Sequence, residues 1–486
     1  MTVDFTIENA NYHIRNNVIN NKYYPNYNFA APVGWINDPN GLIVYNDELH
    51  LFYQYYPYDS IHGKMHWGHA KSKDGLSWEH LDVAIAPDKD YDRDGVFSGS
   101  AIEKDRKIYI MYSGNIEYEP GKIKQTQNIA VSEDGIHFEK YKNNPVIDHN
   151  DIPKGTSKFD FRDPKIFKKD DSYFVVIGSK TEDDKGQVLL YESKDMFDWK
   201  FVSVVLSPTK YLGDMVECPD LILFEDKDIF LLSAMNYTDE KTGEFFSHIS
   251  WIIEGKMNWT DYVFKTHSIR KMDEGFDFYA PQTALVSENP NEYVAVAWQQ
   301  AWNRTLPSHD ENHNWAGQMT LPRKLSLVDG EFIHKPYPTV LRDLNILQTV
   351  SSSDDLNIKD SLPFKGEVIK LEIGMNQEVE FKLLNSENEN IYSKFDSINK
   401  ELHFSRENTK RIVGHNNRVF DKKKCPVPIN DKPWEVIIFI DTSSIQIFIQ
   451  QIFSFTSTYY VDNPLTTLRW GDKRAFQTLS IGNITR

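Results

Sequence analysis

The amino-acid sequence predicts an all-β protein, built as a five-bladed β-propeller followed by a C-terminal β-sandwich. Three observations predict this fold. Short runs of β-branched and aromatic residues, separated by Asp, Asn, Gly and Lys turns, dominate the chain, whereas helical periodicity is scarce. One strand–turn–strand unit recurs five times at a period of roughly sixty residues. The length of 486 residues, with 40% hydrophobic side chains, is enough for one large β domain and a smaller one.

Each copy of the repeat begins with a small polar cluster and continues with an apolar strand, a charged turn and a second apolar strand. The copies are DPNGLIVYNDELHLFYQYY from Asp38, SGSAIEKDRKIYIMYSG from Ser98, RDPKIFKKDDSYFVVIG from Arg162, CPDLILFEDKDIFLLSA from Cys218 and APQTALVSENPNEYVAVAW from Ala280. A Ser-x-Asp signature follows the copies and leads to Trp78, Phe138 and Trp199, with a degenerate version at Trp259. A unit of about four strands cannot bury its apolar face alone, so we expect the units to stack around an axis.

The polar cluster occupies the same position in every copy of the repeat, at the start of the unit. In a radial array such equivalent positions converge at one end of the axis, which predicts a funnel lined by Asp38, Ser98, Asp163, Glu217 and Gln282. Asp-Pro and Pro-Asp are also ordinary turn signals. For any single copy, a turn signal explains the residues as well as a functional position does. It explains less well why all five copies carry a polar cluster at the same position of the repeat.

The repeat predicts a propeller domain over residues 1–335. Pro336, Pro338 and the polar stretch SSSDD from Ser351 indicate a linker over 336–352. The remaining residues, 353–486, contain alternating runs such as EVEFKLL and WEVIIFIDTSSIQIFIQ, which are typical of an antiparallel sandwich. This second domain holds no cluster of acidic or His residues with obvious chemistry, so we interpret it as a stabilising or accessory domain.

Composition excludes several classes of protein. The net charge of −17 repels phosphate backbones, which argues against nucleic-acid binding. We expect no membrane contact, because no stretch approaches the 18 or so apolar residues of a spanning helix. The N-terminal residues lack a secretory pattern, so the expected location is cytoplasmic. The two cysteines, Cys218 and Cys425, exclude a disulfide framework. A monomer and a homodimer are equally compatible with the sequence.

Three carboxylates have unusual local contexts: Asp38 in GWINDPNG, Asp163 in FRDPK and Glu217 in ECPD. Glycoside cleavage needs one carboxylate as nucleophile or base and a second, protonated one as acid, with pKa values that differ. If the side chains of Arg162 and Asp163 meet, the cation would hold Asp163 ionised, and we expect the apolar neighbours of Glu217 to raise its pKa.

Together these motifs resemble glycoside hydrolase family 32, the β-fructofuranosidases, which include invertases and sucrose-6-phosphate hydrolases. WINDPNG resembles the family's nucleophile box, FRDPK the box of its transition-state stabiliser, and ECPDL its acid/base box. Four further segments are similar to family segments: FSGSA at Phe97, DFYAPQ at Asp277, GQMTLPRKLSL at Gly317 and DTSSIQIFI at Asp441. The resemblance runs from about Asn28 to near the C-terminus. The family's fold is a five-bladed propeller with a C-terminal sandwich, in agreement with the repeat count.

The resemblance implies a role for each carboxylate. Asp38 would attack the anomeric carbon of the fructosyl unit. Glu217 would protonate the leaving oxygen and then activate water, while Asp163 and Arg162 would stabilise the oxocarbenium-like state. The resemblance assigns hydrogen bonding of the sugar to Asn37, Gln54 and Ser98, and the pocket walls to Trp35, Trp67, Phe97 and Trp298.

The predicted activity is retaining hydrolysis of the β-D-fructofuranosyl linkage of sucrose or sucrose 6-phosphate, with short fructo-oligosaccharides as further substrates. Two alternatives are a fructosyltransferase acting on sucrose and a non-catalytic fructan-binding protein. Two carboxylates and water suffice for the chemistry, so no cofactor is implied. No metal is expected either, because the spacing in SHDENHN (308–314) suits no standard metal cage. His62-Gly63 replaces the Trp-Gly of many extracellular members and resembles the intracellular enzymes, and Gln446 replaces a frequent Glu.

Overall fold

The computed structural model describes residues 4–286, 291–342, 344–351, 361–411, 413–414, 421–429, 432–471 and 476–485. Strands dominate these ranges, which confirms the predicted all-β class. The described helices are α1 (Ile7–Arg15), α2 (Pro307–Asp310) and α3 (Pro338–Arg342). Within the described ranges, none of these helices has the length and apolar character needed to cross a bilayer.

Residues 34–336, here called the N-terminal module, form five antiparallel sheets. The first sheet holds β1 (Gly34–Tyr45), β2 (Glu48–Tyr56), β3 (His66–Ser72) and β4 (Glu79–His80), and the second holds β5 (Gly95–Lys104), β6 (Lys107–Glu119), β7 (Lys122–Ser132) and β8 (Glu139–Lys140). The third sheet holds β9 (Thr156–Lys169), β10 (Ser172–Thr181), β11 (Gly186–Ser193) and β12 (Trp199–Leu206), and the fourth holds β13 (Met215–Leu223), β14 (Asp228–Thr238), β15 (Phe245–Asn258) and β16 (Val263–Lys271). The fifth sheet holds β17 (Tyr279–Leu285), β18 (Glu292–Trp298), β20 (Arg323–Val328) and β21 (Glu331–Pro336). The short strand β19 (Trp315–Ala316), which precedes β20 in the chain, pairs in parallel with β1 of the first sheet.

The first strands of the five sheets contact one another in a cycle. β1 contacts β5, β5 contacts β9, β9 contacts β13, β13 contacts β17, and β17 contacts β1 again. Apolar side chains are buried between neighbouring sheets, as Leu190 of the third sheet is with Val216 and Phe230 of the fourth. Each side chain buried in this way contributes about 1.5–3 kcal/mol to folding. The five copies of the repeat correspond to the first two strands of the five sheets.

Residues 344–485, here called the C-terminal module, form two further sheets of six strands each. The strands are β22 (Leu344–Ser351), β23 (Ser361–Pro363), β24 (Val368–Ile373), β25 (Glu378–Leu384), β26 (Asn390–Asp396), β27 (Glu401–Asn408), β28 (Lys422–Pro426), β29 (Trp434–Ile440), β30 (Ser444–Ile449), β31 (Phe453–Thr458), β32 (Thr467–Trp470) and β33 (Thr478–Ile484). Their orders are β22-β33-β24-β29-β30-β31 and β23-β32-β25-β26-β27-β28. Apolar residues of both sheets, including Phe381 and Ile447, form one shared core.

The structure differs from the predicted linker over 336–352. Residues 338–342 form α3, and residues 344–351 form β22, which pairs antiparallel with β33 from Leu344↔Ile484 to Ser351↔Thr478. The linker prediction therefore does not hold for residues 344–351. Most side chains of this edge strand are exposed, so it lacks the alternation of apolar residues that marks a half-buried strand. The last predicted linker residue, 352, lies outside the described residues.

Buried polar contacts join the C-terminal module to the N-terminal module and to the segment that precedes it. Arg406 Nη1 of β27 lies 2.6 Å from Asp277 Oδ2, and these side chains are 1% and 0% exposed. The carboxylate of Asp441 accepts hydrogen bonds from the backbone N–H groups of Asn26 at 2.6 Å and Asn28 at 2.9 Å. Because a buried charge is costly without its partner, these contacts fix the C-terminal module against the N-terminal one.

Candidate active site

The polar cluster of each repeat coincides with a break in strand register. The breaks lie at Ile36/Pro39 of β1, Phe97/Gly99 of β5, Arg162/Lys165 of β9, Glu217/Asp220 of β13 and Tyr279/Gln282 of β17. Three residues within these breaks, Asp163, Cys218 and Ala280, have left-handed φ angles of 64°, 47° and 51°. Such backbone costs of order 1–3 kcal/mol per residue and concentrates at functional sites. A β-bulge redirects side chains, so each first strand can turn its polar residue toward the common axis.

The three carboxylates singled out in the sequence gather around Cys218. Its Sγ lies 3.6 Å from Asp38 Oδ2 and 3.6 Å from Asp163 Oδ2, and its backbone N–H donates to Asp163 Oδ2 at 3.0 Å. Glu217 is the preceding residue. Ser98 Oγ donates to Asp38 Oδ2 at 2.7 Å. Four of the five predicted funnel positions, which come from four different sheets, therefore lie together.

The fifth position, Gln282, plays a different part. Its side chain is buried, and its Nε2 donates to the backbone carbonyl of Gly99 at 3.1 Å. This bond joins the first strand of the fifth sheet to the first strand of the second sheet, across the axis. Gln282 therefore braces the inner strands beneath the carboxylates.

Glu217 has two strong donors. Arg162 directs Nε at 3.1 Å and Nη2 at 2.9 Å to Glu217 Oε1, while the Tyr279 hydroxyl donates to Oε2 at 2.6 Å. The ion pairs of Arg162 within the described residues go to Glu217 and Asp160, so the side chains of Arg162 and Asp163 do not form the pair considered from the sequence. Asp163 lies in the register break of β9 with a left-handed φ, and its carboxylate accepts the backbone N–H of Cys218 instead.

These contacts reverse the pKa order expected from sequence neighbours. Burial favours the neutral form of Glu217, but Arg162 outweighs it, with His248 and Tyr279 acting in the same direction, and holds the pKa below its usual value. Burial and the charge of Glu217 raise the pKa of Asp38 to about 6. Burial raises the pKa of Asp163 to about 7, against the attraction of Arg162 and aided by the other two carboxylates. In the free site Glu217 is therefore the most acidic of the three.

The predicted hydrogen-bonding residues are held by bonds of their own. Trp35 Nε1 donates to Asn37 Oδ1 at 2.8 Å, which fixes the amide beside Asp38. Gln54 Nε2 donates to the backbone carbonyl of Val96 at 2.9 Å and so ties β2 to β5. Both amides are buried, and their positions are set by the strands rather than by mobile loops.

Three of the four predicted wall residues lie together. Trp35 and Trp298 belong to one apolar cluster with Cys218, and Phe97 packs against it. Trp67 and Trp298 are both 0% exposed. Trp67 packs between the first and second sheets and donates from Nε1 to the Phe97 carbonyl at 3.1 Å. Trp298 packs against Trp35, with ring centroids 5.7 Å apart.

Two further aromatic rings, those of His62 and Trp302, pack against Trp35. The Trp302 ring stacks on Trp35 at 5.9 Å, and the His62 ring contacts Trp302 edge-on at 5.4 Å. The sequence had marked His62 as a departure from the family's Trp-Gly pattern, and that signal could have identified it as a neighbour of Trp35. Trp302 follows an irregular segment after β18, where no strand pattern pointed to it.

Two further residues near the carboxylates were missed. Tyr279 lies in the DFYAPQ segment, but only the structure shows its bond to Glu217. The His248 ring contacts the Tyr279 ring edge-on at 5.1 Å, and His248 Nδ1 has no hydrogen-bond partner among the described residues. In SHDENHN, which the sequence did not favour as a metal site, His309 lies in α2 with Nδ1 2.7 Å from Ser60 Oγ.

Comparisons with known proteins agree with this geometry. The chain matches "Glycosyl hydrolases family 32 N-terminal domain" over residues 28–336 and "Glycosyl hydrolases family 32 C terminal" over 343–483. It is 33% identical to a sucrose-6-phosphate hydrolase of Zymomonas mobilis over 471 residues, covering 92% of this chain and 88% of that protein. A Bacillus subtilis sucrose-6-phosphate hydrolase is 30% identical over 448 residues, with 90% and 89% covered.

Solved structures show the same relationship. A Bombyx mori GH32 beta-fructofuranosidase superposes with a TM-score of 0.81 at 30% identity, covering 98% of this chain and 97% of that one. A sucrose-6-phosphate hydrolase from Lactobacillus gasseri has the same fold, with a TM-score of 0.83 at 24% identity and coverage of 98% and 96%. Because two family models together span most of the chain, this protein belongs to glycosyl hydrolase family 32.

Proposed function

We propose that this glycoside hydrolase cleaves the β-D-fructofuranosyl bond of sucrose or sucrose 6-phosphate with retention of configuration, by double displacement. The observation that carries the proposal is the arrangement of Asp38, Asp163 and Glu217 around Cys218, with Arg162 and Tyr279 bonded to Glu217. A family 32 relative of known structure has been crystallised with sucrose. Retaining glycosidases need two neighbouring carboxylates, one as nucleophile and one as acid/base.

Asp38 is the nucleophile of the proposed first step. The Ser98 hydroxyl donates a hydrogen bond to Asp38 Oδ2. Asp38 Oδ1 has no hydrogen-bond partner among the described residues and is the oxygen that attacks. As the bond from Asp38 to the anomeric carbon forms, the glycosidic C–O bond breaks, and the proton of Glu217 passes to the leaving oxygen. In the second step, Glu217 takes a proton from water, the water oxygen bonds to the anomeric carbon, and the ester to Asp38 breaks.

The first step requires Asp38 ionised and Glu217 protonated, whereas the free site favours the ionised form of Glu217. The neighbouring carboxylates titrate as a set, so ionisation of Asp38 raises the pKa of Glu217. A bound sugar removes water from the pocket, and desolvation raises the pKa of a carboxyl further. Substrate binding thus shifts the proton toward the reactive arrangement.

The other pocket residues bind and orient the sugar. Asp163 is the partner for fructosyl hydroxyls and for the positive charge that develops at the ring. Trp35, Phe97 and Trp302 provide aromatic surfaces for the sugar ring. Asn37 and Gln54 supply amide groups at the pocket floor.

The fold completes the proposal. Five sheets whose first strands contact one another in a cycle fit a five-bladed propeller, with β19 joining the last part of the ring to the first sheet. The two sheets of the C-terminal module, which share one core, fit a β-sandwich. A propeller places the amino-terminal ends of its inner strands around one opening, where the carboxylates lie.

The proposal is tested with Asp38→Asn. We expect glucose release from sucrose to fall by several orders of magnitude while sucrose binding, measured by calorimetry, is retained. Asp171→Asn, at an exposed turn of the third sheet, is the matched control and keeps wild-type turnover. Substantial turnover by Asp38→Asn would refute the nucleophile assignment. Equal amounts of free glucose and fructose at high sucrose distinguish hydrolysis from fructosyl transfer.

A further inference from the structure

The two described sheets of the C-terminal module have four outermost strands, and three of these are protected from pairing with another chain. Edge strands expose unpaired N–H and C=O groups, which natural proteins cover, shorten or flank with charge. β31 is buried against the N-terminal module, where the Thr456 N–H donates to Asp273 Oδ1 at 2.8 Å. β28 carries three lysines at positions 422–424. β23 has three residues and ends at Pro363, which has no N–H to donate.

The fourth outermost strand, β22, has none of these protections. It is eight residues long and pairs on one side with β33. Its side chains from Asn345 to Thr349 are all exposed, with Ile346 at 44% and Leu347 at 49%. On the other side, residues 344–350 have no backbone partner within the described parts of the chain. This outer edge of β22 is therefore a template to which a further strand can pair.

The two strands at this edge are also uncharged. β22 has eight residues and β33 has seven, and none of them is Asp, Glu, Lys or Arg. Charged residues make up 26% of the chain, so about four would be expected in the two strands. With a net charge of −17, two copies of the protein repel each other over most of their surface. An uncharged edge is where their approach is least unfavourable.

An antiparallel pair of identical strands around a two-fold axis suits this edge. Each position of one strand then lies opposite a position of the same strand in the second copy, so a charged residue near the centre would face its own counterpart. β22 contains no such residue. Ile346 and Leu347 lie near the middle of the strand, where a two-fold pair brings them close to their counterparts.

We infer that β22 pairs in this way with β22 of a second copy, so that the two six-stranded sheets join into one continuous sheet and the protein is a homodimer. The contact uses the open edge of each C-terminal module. The assembly therefore closes at two chains and does not continue into a filament. The inference goes beyond the proposed hydrolysis, because β22 contributes no residue to the carboxylate pocket.

The size of the contact sets its expected strength. β22, with its eight residues, spans about 27 Å. Pairing of one such strand belongs to the class of interfaces below about 1,200 Å², which is typical of weak association. We therefore expect a dissociation constant in the micromolar range. Raising NaCl from about 50 mM to about 500 mM should strengthen the dimer, because salt screens the repulsion between acidic copies. A dimer held by ion pairs would instead weaken.

Sedimentation velocity of the full chain between about 1 and about 100 µM tests the inference, and the wild type should pass from monomer to dimer over this range. Leu347→Lys should raise the dissociation constant roughly a hundredfold, because an apolar contact is lost and two ammonium groups meet near the axis. Leu347 is the extra residue of a bulge, between the pairs Ile346↔Gly482 and Gln348↔Ile481, so its replacement leaves the pairing with β33 intact. Ile398→Lys is the matched control. Ile398 is a 54% exposed turn residue of the other sheet, and its variant should dimerise as the wild type does.

Three results would overturn the inference. They are a wild type that stays monomeric at about 100 µM, a dimer that Leu347→Lys leaves unchanged, and an assembly larger than two chains. Leu347→Lys should unfold in urea at the wild-type midpoint and release glucose from sucrose at the wild-type rate. Loss of the dimer is then separated from loss of the fold.

A nitroxide label on Leu347→Cys locates the contact without adding a charge. The two native cysteines are buried, so the reagent attaches to the introduced thiol. In an antiparallel pair of strands of this length, equal positions lie less than roughly 30 Å apart. A pulsed EPR distance in that range supports the pairing of β22 with its counterpart, and a dimer that shows no such distance contradicts it.

Discussion

Replacing Ser98 by alanine should move the acid limb of the pH profile to higher pH. The Ser98 hydroxyl donates to Asp38 Oδ2 at 2.7 Å, and this bond stabilises the ionised carboxylate. A hydrogen bond to a charged group contributes about 1.5–3 kcal/mol. One pKa unit corresponds to about 1.36 kcal/mol, so the loss raises the pKa of Asp38 by about one to two units. The starting value is about 6, already raised by burial and by the charge of Glu217.

The assay is kcat for sucrose at saturating concentration between about pH 4 and pH 9, because kcat reports the pKa values of the enzyme–substrate complex, in which Glu217 carries the proton. In the wild type about half of Asp38 is ionised near pH 6, whereas in Ser98→Ala the ionised fraction there is about a tenth or less. Activity should recover between the shifted acid limb and the basic limb set by Glu217, because the nucleophile itself is intact. Ser203→Ala is the control. Ser203 lies in β12, the outer strand of the third sheet, and its hydroxyl donates to the backbone carbonyl of Tyr262. An acid limb that stays in place, or moves to lower pH, refutes the assignment of that limb to Asp38.

Three further results are expected. Tyr279→Phe removes the 2.6 Å donor to Glu217, so the pKa of that carboxyl rises and the basic limb of kcat moves to higher pH; an unmoved basic limb contradicts this. Arg406→Ala leaves Asp277 buried with one cation fewer, and should lower the free energy of unfolding in urea by about 3 kcal/mol; a loss below about 1 kcal/mol means that the contact is replaceable. Burial and the neighbouring carboxylates raise the pKa of the Cys218 thiol well above 9, so mass spectrometry should show little alkylation by iodoacetamide at pH 8 until the protein is denatured. Rapid native labelling would show that the thiol is exposed or ionised.

The all-β class and the recurring unit could be predicted because both depend on local patterns. Each unit repeats apolar strands and turn residues at fixed offsets, and every copy corresponds to a pair of neighbouring strands in one sheet. β22 could not be predicted in the same way. It lies at a sheet edge with most side chains exposed, and its pairing with β33 joins residues that are more than 100 positions apart.

The carboxylates could be predicted as a group, but not their contacts. Asp38, Asp163 and Glu217 occupy equivalent positions in three copies of the repeat, and this equivalence alone predicts that they meet at one end of the axis. The partner of Arg162 depends on the direction of its side chain, and that side chain reaches Glu217, 55 residues away. Sequence neighbours therefore predicted the wrong pKa order. The same limit applies to Trp67, because a strand pattern does not reveal which tryptophan faces the pocket and which lies between sheets.

The contact between residues 26–28 and Asp441 has a consequence for how the chain is made. Its partners are separated by more than 400 positions, so the amide groups of Asn26 and Asn28 emerge from the ribosome long before their acceptor. At about 5–20 residues per second, the interval is roughly 20–80 s. During that time the strand pairs of the first sheets can already form. Residues 26–28 receive this partner only after Asp441 has been synthesised, so they are fixed in place much later than they are made.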